Sequence, residues 1–249
     1  MIRLAGLALA AAIAAAAGSG ASPATENGKA DPGKQPAHAA DRSAELKDVL
    51  VKLDGNDLAG AQAALKAIVA APKFKARPER EQYVFRTIYG RTLLAAKQPQ
   101  EALVQLRLAT AFPEADVATW GPRLEADAAL HDNTDALASL TVIASRWPKS
   151  LAGFSDRYIM QLAFETRADE HLSDARFSLL QALRQAGWSP RDPFERADPL
   201  WRDLALSLLD RGQAQAAGAV AADIVAPETV LDMLIDRRFD AITTAAADR

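Results

Sequence analysis

The chain has three histidines, His38, His131 and His171, and no cysteine. Metal chemistry on a helix wants histidine and carboxylate ligands at fixed helical spacing, as in H-E-x-x-H. His131 stands beside Asp132 at the end of a helical pattern, where the helix dipole favours a cation. His171 follows Glu170 near a turn, and His38 lies in a stretch with no apolar period. None of the three has a ligand partner at helical spacing, so the expectation is no metal site.

Three stretches resemble sites and lack a key residue. Gly28-Lys29-Ala30-Asp31-Pro32-Gly33-Lys34 approaches a phosphate-binding loop, but Gln35 stands where a magnesium-binding hydroxyl belongs and no strand precedes it. Asp54-Gly55-Asn56 begins like a calcium loop, yet Leu58 and Ala59 stand where an oxygen ligand and a glycine are needed. Gly153-Phe154-Ser155-Asp156 begins like a nucleophile elbow, yet it closes on Arg157 and no parallel sheet is predicted to hold it. Ser155 reads instead as a helix-start residue. The carboxylates are numerous, and nothing selects a pair for acid–base work. The chain is therefore expected to carry no catalytic residue and no cofactor.

The elements that would have to position any site are helical. The 249 residues suffice for one large or two small domains. Abundant alanine and few aromatics favour closely packed helices. The formal charge is −3, from 29 Lys and Arg against 32 Asp and Glu. This mild acidity argues against a nucleic-acid partner. The absence of cysteine excludes disulfides, thiol catalysis and a lipoprotein anchor.

Arg3 precedes an apolar run from Leu4 to Ala17, and small residues follow. That is the three-part pattern of a secretory signal peptide over residues 1–21, with Ser19-x-Ala21 the expected cleavage site and Ala15-x-Ala17 the alternative. The run is about fourteen residues, short of the roughly 20 a transmembrane helix needs. A periplasmic or secreted protein is expected, without stable membrane insertion after cleavage. A retained N-terminal anchor is the alternative. Residues 22–40, rich in Ala, Pro, Gly, Lys and Asp, read as a disordered linker.

From Asp41 onward apolar residues recur at helical spacing. Tyr83–Pro113 is the clearest stretch. Phe85, Ile88, Tyr89, Leu93 and Ala96 form one face, and Ala102, Leu103, Leu106, Ala109 and Phe112 form a second. Pro99 is placed to open the second helix. Comparable hairpins are read around Leu46–Ile68, Trp120–Ile143, Ile159–Leu183 and Trp201–Ile224. Pro122 should kink or delay its helix. Ser173 and Asp198 read as helix caps, and Gly187 and Gly212 as C-terminal or turn glycines. A last amphipathic segment, Val230–Ile242, reads as a capping helix with a polar exposed face.

The hairpins resemble the tetratricopeptide repeat. Gly90, Ala102 and Ala109 stand where that repeat has small residues for close helix crossing. Trp120, Ala136 and Pro148 match its tryptophan, early second-helix alanine and terminal proline, and Trp201-x-x-Leu204-Ala205-x-x-Leu208 matches its first helix. Leu93 and Leu106 replace its usual aromatics. Ala61, Ala102, Ala136, Ala175 and Ala217, taken as equivalent, stand 41, 34, 39 and 42 residues apart, against a family period of about 34. The resemblance implies an all-α, right-handed α-solenoid of about five hairpins over residues 41–227, with residues 228–249 as cap and tail.

In such arrays the first helices line a concave surface. Carried over by position, the resemblance implies that Thr87, Arg91, Arg157, Gln161, Arg167, Arg202 and Asp203 face it. Arginines there could hold a peptide carboxylate by forked hydrogen bonds. The expected role is an exported scaffold or adaptor that binds a protein or peptide. The second reading is a non-catalytic subunit of an envelope enzyme or transport complex, docking by its outer face. An enzyme acting on cell-wall polymer ranks below both. A fold alone does not choose among them.

Overall fold

The computed structural model describes residues 37–192, 195–240 and 242. The expected signal peptide, the linker as far as residue 36, the phosphate-loop look-alike and the tail after residue 242 lie outside the described residues. Within them the chain is all-α, with no strand.

The helices are α1 (Ala37–Asp54), α2 (Leu58–Ala70), α3 (Glu79–Ala95), α4 (Pro99–Thr110), α5 (Val117–Ala129), α6 (Asn133–Arg146), α7 (Asp156–Glu165), α8 (Ser173–Gln185), α9 (Asp198–Asp210), α10 (Ala214–Ala221) and α11 (Pro227–Ile235). The first helix begins at Ala37, inside the stretch read as linker. The chain divides into two compact units, the first as far as Ala126 and the second from Asp127, so the division falls within α5. The apolar pattern alone shows no break there.

One turn recurs. Asn56, Lys97, His131 and Gly212 adopt φ of 57°, 60°, 56° and 71°. Each is followed by an amide that bonds five residues back: Asp57 to the Lys52 carbonyl, Gln98 to Leu93, Asp132 to Asp127 and Gln213 to Leu208. A left-handed residue with this bond ends a helix and satisfies its orphan carbonyls. Each of the four lies five positions before Ala61, Ala102, Ala136 or Ala217. Those alanines are 0–1% exposed. A small side chain early in the returning helix lets it lie close to the helix it has just left. Ala175 breaks the series: Glu170–Leu172 is a 3-10 turn, and Asp169 accepts from the His171 amide at 2.9 Å.

In the first unit, α1 packs on α2, α2 on α3 and α3 on α4. A Cβ added to Gly90 would lie 2.5 Å from Leu106 Cγ, so the glycine permits the α3–α4 crossing. Phe74, on a 3-10 turn after α2, is fully buried and meets Phe85 edge-on at 6.4 Å. In the second unit α6 packs on α8, α8 on α9 and α9 on α10. Leu137, Leu140, Ile143, Ile159, Leu179, Leu180 and Leu183 fill its interior with 0% exposure. Each such side chain contributes about 1.5–3 kcal/mol by leaving water.

Several local expectations are corrected. Pro122 lies inside α5, which starts five residues before it, so the proline does not delay the helix. Asp116 caps that helix, its carboxylate accepting from the Ala118 amide at 3.0 Å. Ser173 is the first residue of α8 and makes no cap bond. Asp198 is the first residue of α9; its Oδ1 instead accepts from the Val225 and Ala226 amides at 2.7 and 2.8 Å. That carboxylate anchors the entry to α11. The segment expected as one helix to Ile242 is interrupted: α11 ends at Ile235, a 3-10 turn spans Arg237–Phe239, and Asp240 and Ile242 are again helical. Its exposed face is apolar, not polar: Leu231, Leu234 and Ile235 are 60%, 77% and 74% exposed.

Candidate functional site

The seven residues expected on a common surface fall into three different settings. The first is a polar seam in the first unit. Tyr83, Thr87 and Arg91 follow one another at four-residue intervals along α3. The Tyr83 hydroxyl donates to Asp116 Oδ1 at 3.1 Å and lies 2.9 Å from Thr119 Oγ1. Thr87 Oγ1 lies 3.1 Å from the same threonine hydroxyl. These bonds tie α3 to the start of α5. Thr87 is therefore buried rather than presented to a ligand. Arg91 is half-buried. Burial pulls its pKa down, while Asp116 and Glu125 oppose that. Burial likewise raises the Glu125 carboxyl, and Arg91 partly offsets it.

The second setting is an arginine cluster around Asp203 in the second unit. Asp203 is 5% exposed, contrary to the expected open surface. Its Oδ2 accepts from Arg176 Nη2 at 2.6 Å, and its Oδ1 lies 3.0 Å from Arg167 Nη2. Arg202 Nη1 is 3.9 Å from the same oxygen and Nη2 3.9 Å from Asp236. Arg176 also donates through Nε to the Ala163 carbonyl at 2.7 Å. One buried guanidinium on α8 thus joins α7 and α9. A buried charge is tolerated when it is paired and hydrogen-bonded, so this cluster holds helices together. Arg167, Arg202 and Asp203 are engaged in it.

The third setting is an open cleft of about 630 Å³ lined by Arg157, Met160, Gln161, Phe164, Glu195, Arg196, Pro199 and Glu228. Arg157, Met160, Gln161 and Phe164 lie at i, i+3, i+4 and i+7, one face of α7. The opposite face, Ile159, Leu162, Ala163 and Thr166, is buried. Ser155 caps the helix by accepting from the Tyr158 amide. Arg191 fastens the same end. Its Nε and amide reach Asp156 Oδ2 at 2.9 and 3.0 Å, and its Nη2 donates to the Phe154 carbonyl at 2.7 Å. Burial pushes the Asp156 carboxyl up, but the Arg191 hydrogen bonds and charge together hold it below its ordinary value.

Within the cleft, Arg157 and Arg196 are exposed. Gln161 donates to Glu165 Oε1 at 2.5 Å. Glu195 has a buried carboxylate oxygen with no hydrogen-bond partner among the described residues. Exposed guanidiniums can accept a carboxylate bidentately. The Glu195 oxygen can accept an N–H, and Met160 and Phe164 offer an adaptable apolar surface. The cleft thus combines sites for an acidic group, a backbone amide and an apolar side chain.

Of the expected residues, only Arg157 and Gln161 line this cleft. Met160, Phe164, Glu195, Arg196, Pro199 and Glu228 were not foreseen. Met160 and Phe164 were legible, since they share the helical face of Arg157 and Gln161. Arg176 carried a signal too: it is in register with Leu179, Leu180 and Leu183, an arginine in an apolar stripe. Among the described residues no group of three His, Asp or Glu side chains is arranged to hold a metal. No helix among them is long and apolar enough to cross a membrane. Compared with protein-family models, curated proteins and solved structures, the chain matches none.

Proposed function

We propose that the chain is an exported helical-repeat binding protein of the tetratricopeptide kind, a right-handed α-solenoid that captures a protein or peptide segment. The cleft along α7 is the recognition surface. The observation that carries this reading is the face Arg157, Met160, Gln161 and Phe164, which remains on an open cleft while the opposite face of α7 is buried. The recurring turn before Ala61, Ala102, Ala136 and Ala217 supports a repeat architecture. The Arg3–Ala21 leader pattern supports export to the periplasm or beyond. The segment recognised carries an acidic group beside an apolar side chain, so that the arginines and the Met160–Phe164 surface are engaged together.

The test is capture from a cell-envelope fraction by the purified chain, by an Arg157→Glu, Arg196→Glu variant and by a Val51→Glu variant on α1. A partner retained by wild type and Val51→Glu, and lost by the double variant, is the expected result. A partner held equally by all three would remove the cleft from the account. It would favour the second reading, a subunit that docks by another face.

A further inference from the structure

The cleft along α7 carries charges of both signs. Arg157 and Arg196 line it, and so do Glu195 and Glu228. Arg157, Arg196 and Glu228 are exposed, and Glu195 is half-buried. Among the described residues none of the four has an opposite charge within 4.0 Å or a side-chain hydrogen bond. Elsewhere in the same unit pairing is common. Arg167, Arg176, Arg191, Arg211 and Arg238 each have a carboxylate oxygen within 3.0 Å. Gln161, on the cleft face of α7, is engaged by Glu165.

Local helix chemistry accounts for only one of the four. Glu228 stands in the first turn of α11, where the dipole favours a carboxylate. Arg157 stands in the first turn of α7, where the dipole opposes a cation. Glu195 and Arg196 lie just before α9, which begins at Asp198. One Glu195 carboxylate oxygen is out of water and has no donor. Such an oxygen has lost hydration without gaining a bond. A cation brought to the open side of that carboxylate recovers part of the loss.

Two charges of each sign disfavour a ligand of one sign. A purely acidic segment is drawn to Arg157 and Arg196 and repelled by Glu195 and Glu228. A purely basic segment meets the reverse. Complementary charge selects a partner, and like charge suppresses the wrong ones. Arg157 and Phe164 are seven residues apart, about 10 Å along a helix at 1.5 Å per residue. An extended peptide covers that length in about three to four residues.

We propose that the α7 cleft takes a peptide segment of mixed charge, with an acidic and a basic side chain within about four residues of each other, beside an apolar one. The proposal rests on the cleft being a peptide-binding surface and adds a cation to its ligand. Arg157 and Arg196 hold the carboxylate by forked hydrogen bonds. Glu195 and Glu228 hold the ammonium or guanidinium. Met160 and Phe164 hold the apolar side chain.

The probes are peptides selected from a displayed random library on the purified chain. Their affinities are measured by fluorescence anisotropy for wild type, for Glu195→Gln with Glu228→Gln, and for Arg157→Glu with Arg196→Glu. The selected peptides are expected to carry Lys or Arg within about four residues of Asp or Glu. The Gln variant is expected to bind them about 10-fold more weakly, with an unchanged helical circular dichroism spectrum. Replacing the basic residue of the peptide by norleucine is expected to weaken binding to wild type by a similar factor. The same replacement is expected to change binding to the Gln variant little, because both changes remove one contact. Peptides released by the Arg157→Glu, Arg196→Glu variant but indifferent to the Gln substitutions overturn this proposal alone. So do selected peptides without a basic residue, and so do losses that simply add. Peptides that both variants bind as wild type does overturn the peptide-cleft reading as well, as does a library from which nothing is selected.

Discussion

Two helices that open hairpins, α3 and α7, carry polar residues at the same four-residue spacing and use them in opposite ways. On α3, Tyr83 and Thr87 are consumed by Asp116 and Thr119, which stitch α3 to the start of α5. On α7, Arg157 and Gln161 keep an open cleft in front of them. Asp203 on α9 resembles the α3 residues, because Arg167 and Arg176 engage it. A place on the first-helix face does not make a residue available. What decides is whether a neighbouring helix supplies a complementary group within reach.

The largest expected effect separates the engaged residues from the open ones. Asp203→Ala strands the buried Arg176 guanidinium, and breaking a buried pair from one side costs about 3–5 kcal/mol. Urea unfolding would show the loss. A change below about 1 kcal/mol, the range of exposed pairs, would move Asp203 to the open class. Gly90→Ala comes next. Its new methyl meets Leu106, and overpacking of this kind costs about 1–3 kcal/mol. An unchanged denaturation midpoint would mean that the α3–α4 crossing relaxes freely. Thr87→Val removes a buried hydroxyl pair while keeping shape, with a cost of about 1 kcal/mol because Thr119 keeps Tyr83 as a partner.

A pH titration sharpens the same contrast. All three tyrosines have raised pKa values, with burial the first cause in each. Tyr158 is pushed furthest, to about 12, with Asp127 and Glu165 adding to its burial. A phenol whose folded pKa is raised binds its proton more tightly when folded. Its contribution to stability is thus full below the ordinary value of 10.0 and is lost as pH rises toward about 12. Absorbance titration at alkaline pH should show Tyr158 of the second unit ionising last. Ionisation of all three near the ordinary value would contradict the packing around α7.

Much of the architecture was legible where one local requirement acts. Gly90 and the alanines at 61, 102, 136 and 217 had to be small because two backbones cross there, and Pro99 suits a first turn wherever it occurs. The misreadings share a different cause. Asp198 has the local signature of a cap, yet the amides it serves lie 27 and 28 residues away. Asp203 reads locally as a surface carboxylate, and its partner Arg176 is 27 residues distant on another helix. Local pattern cannot report such pairings. The exposed residues Leu231, Leu234 and Ile235 were visible as an apolar pattern. Their outward direction depends on the entry to α11 that Asp198 anchors, which only the packed unit reveals. The cleft was half legible: α7 supplied its face by spacing, while Glu195, Arg196, Pro199 and Glu228 come to it from elsewhere in the chain.

The central claim is that the α7 cleft recognises a segment bearing an acidic and an apolar side chain. The most direct measurement is fluorescence anisotropy with peptides recovered from a displayed random library selected on the purified chain. These would be titrated into wild type and into the Arg157→Glu, Arg196→Glu variant. The account predicts selected peptides that pair Asp or Glu with a large apolar residue, bound about 10-fold or more weakly by the variant because its cleft now repels the carboxylate. Equal affinity for both proteins, or selected peptides without an acidic residue, would contradict it.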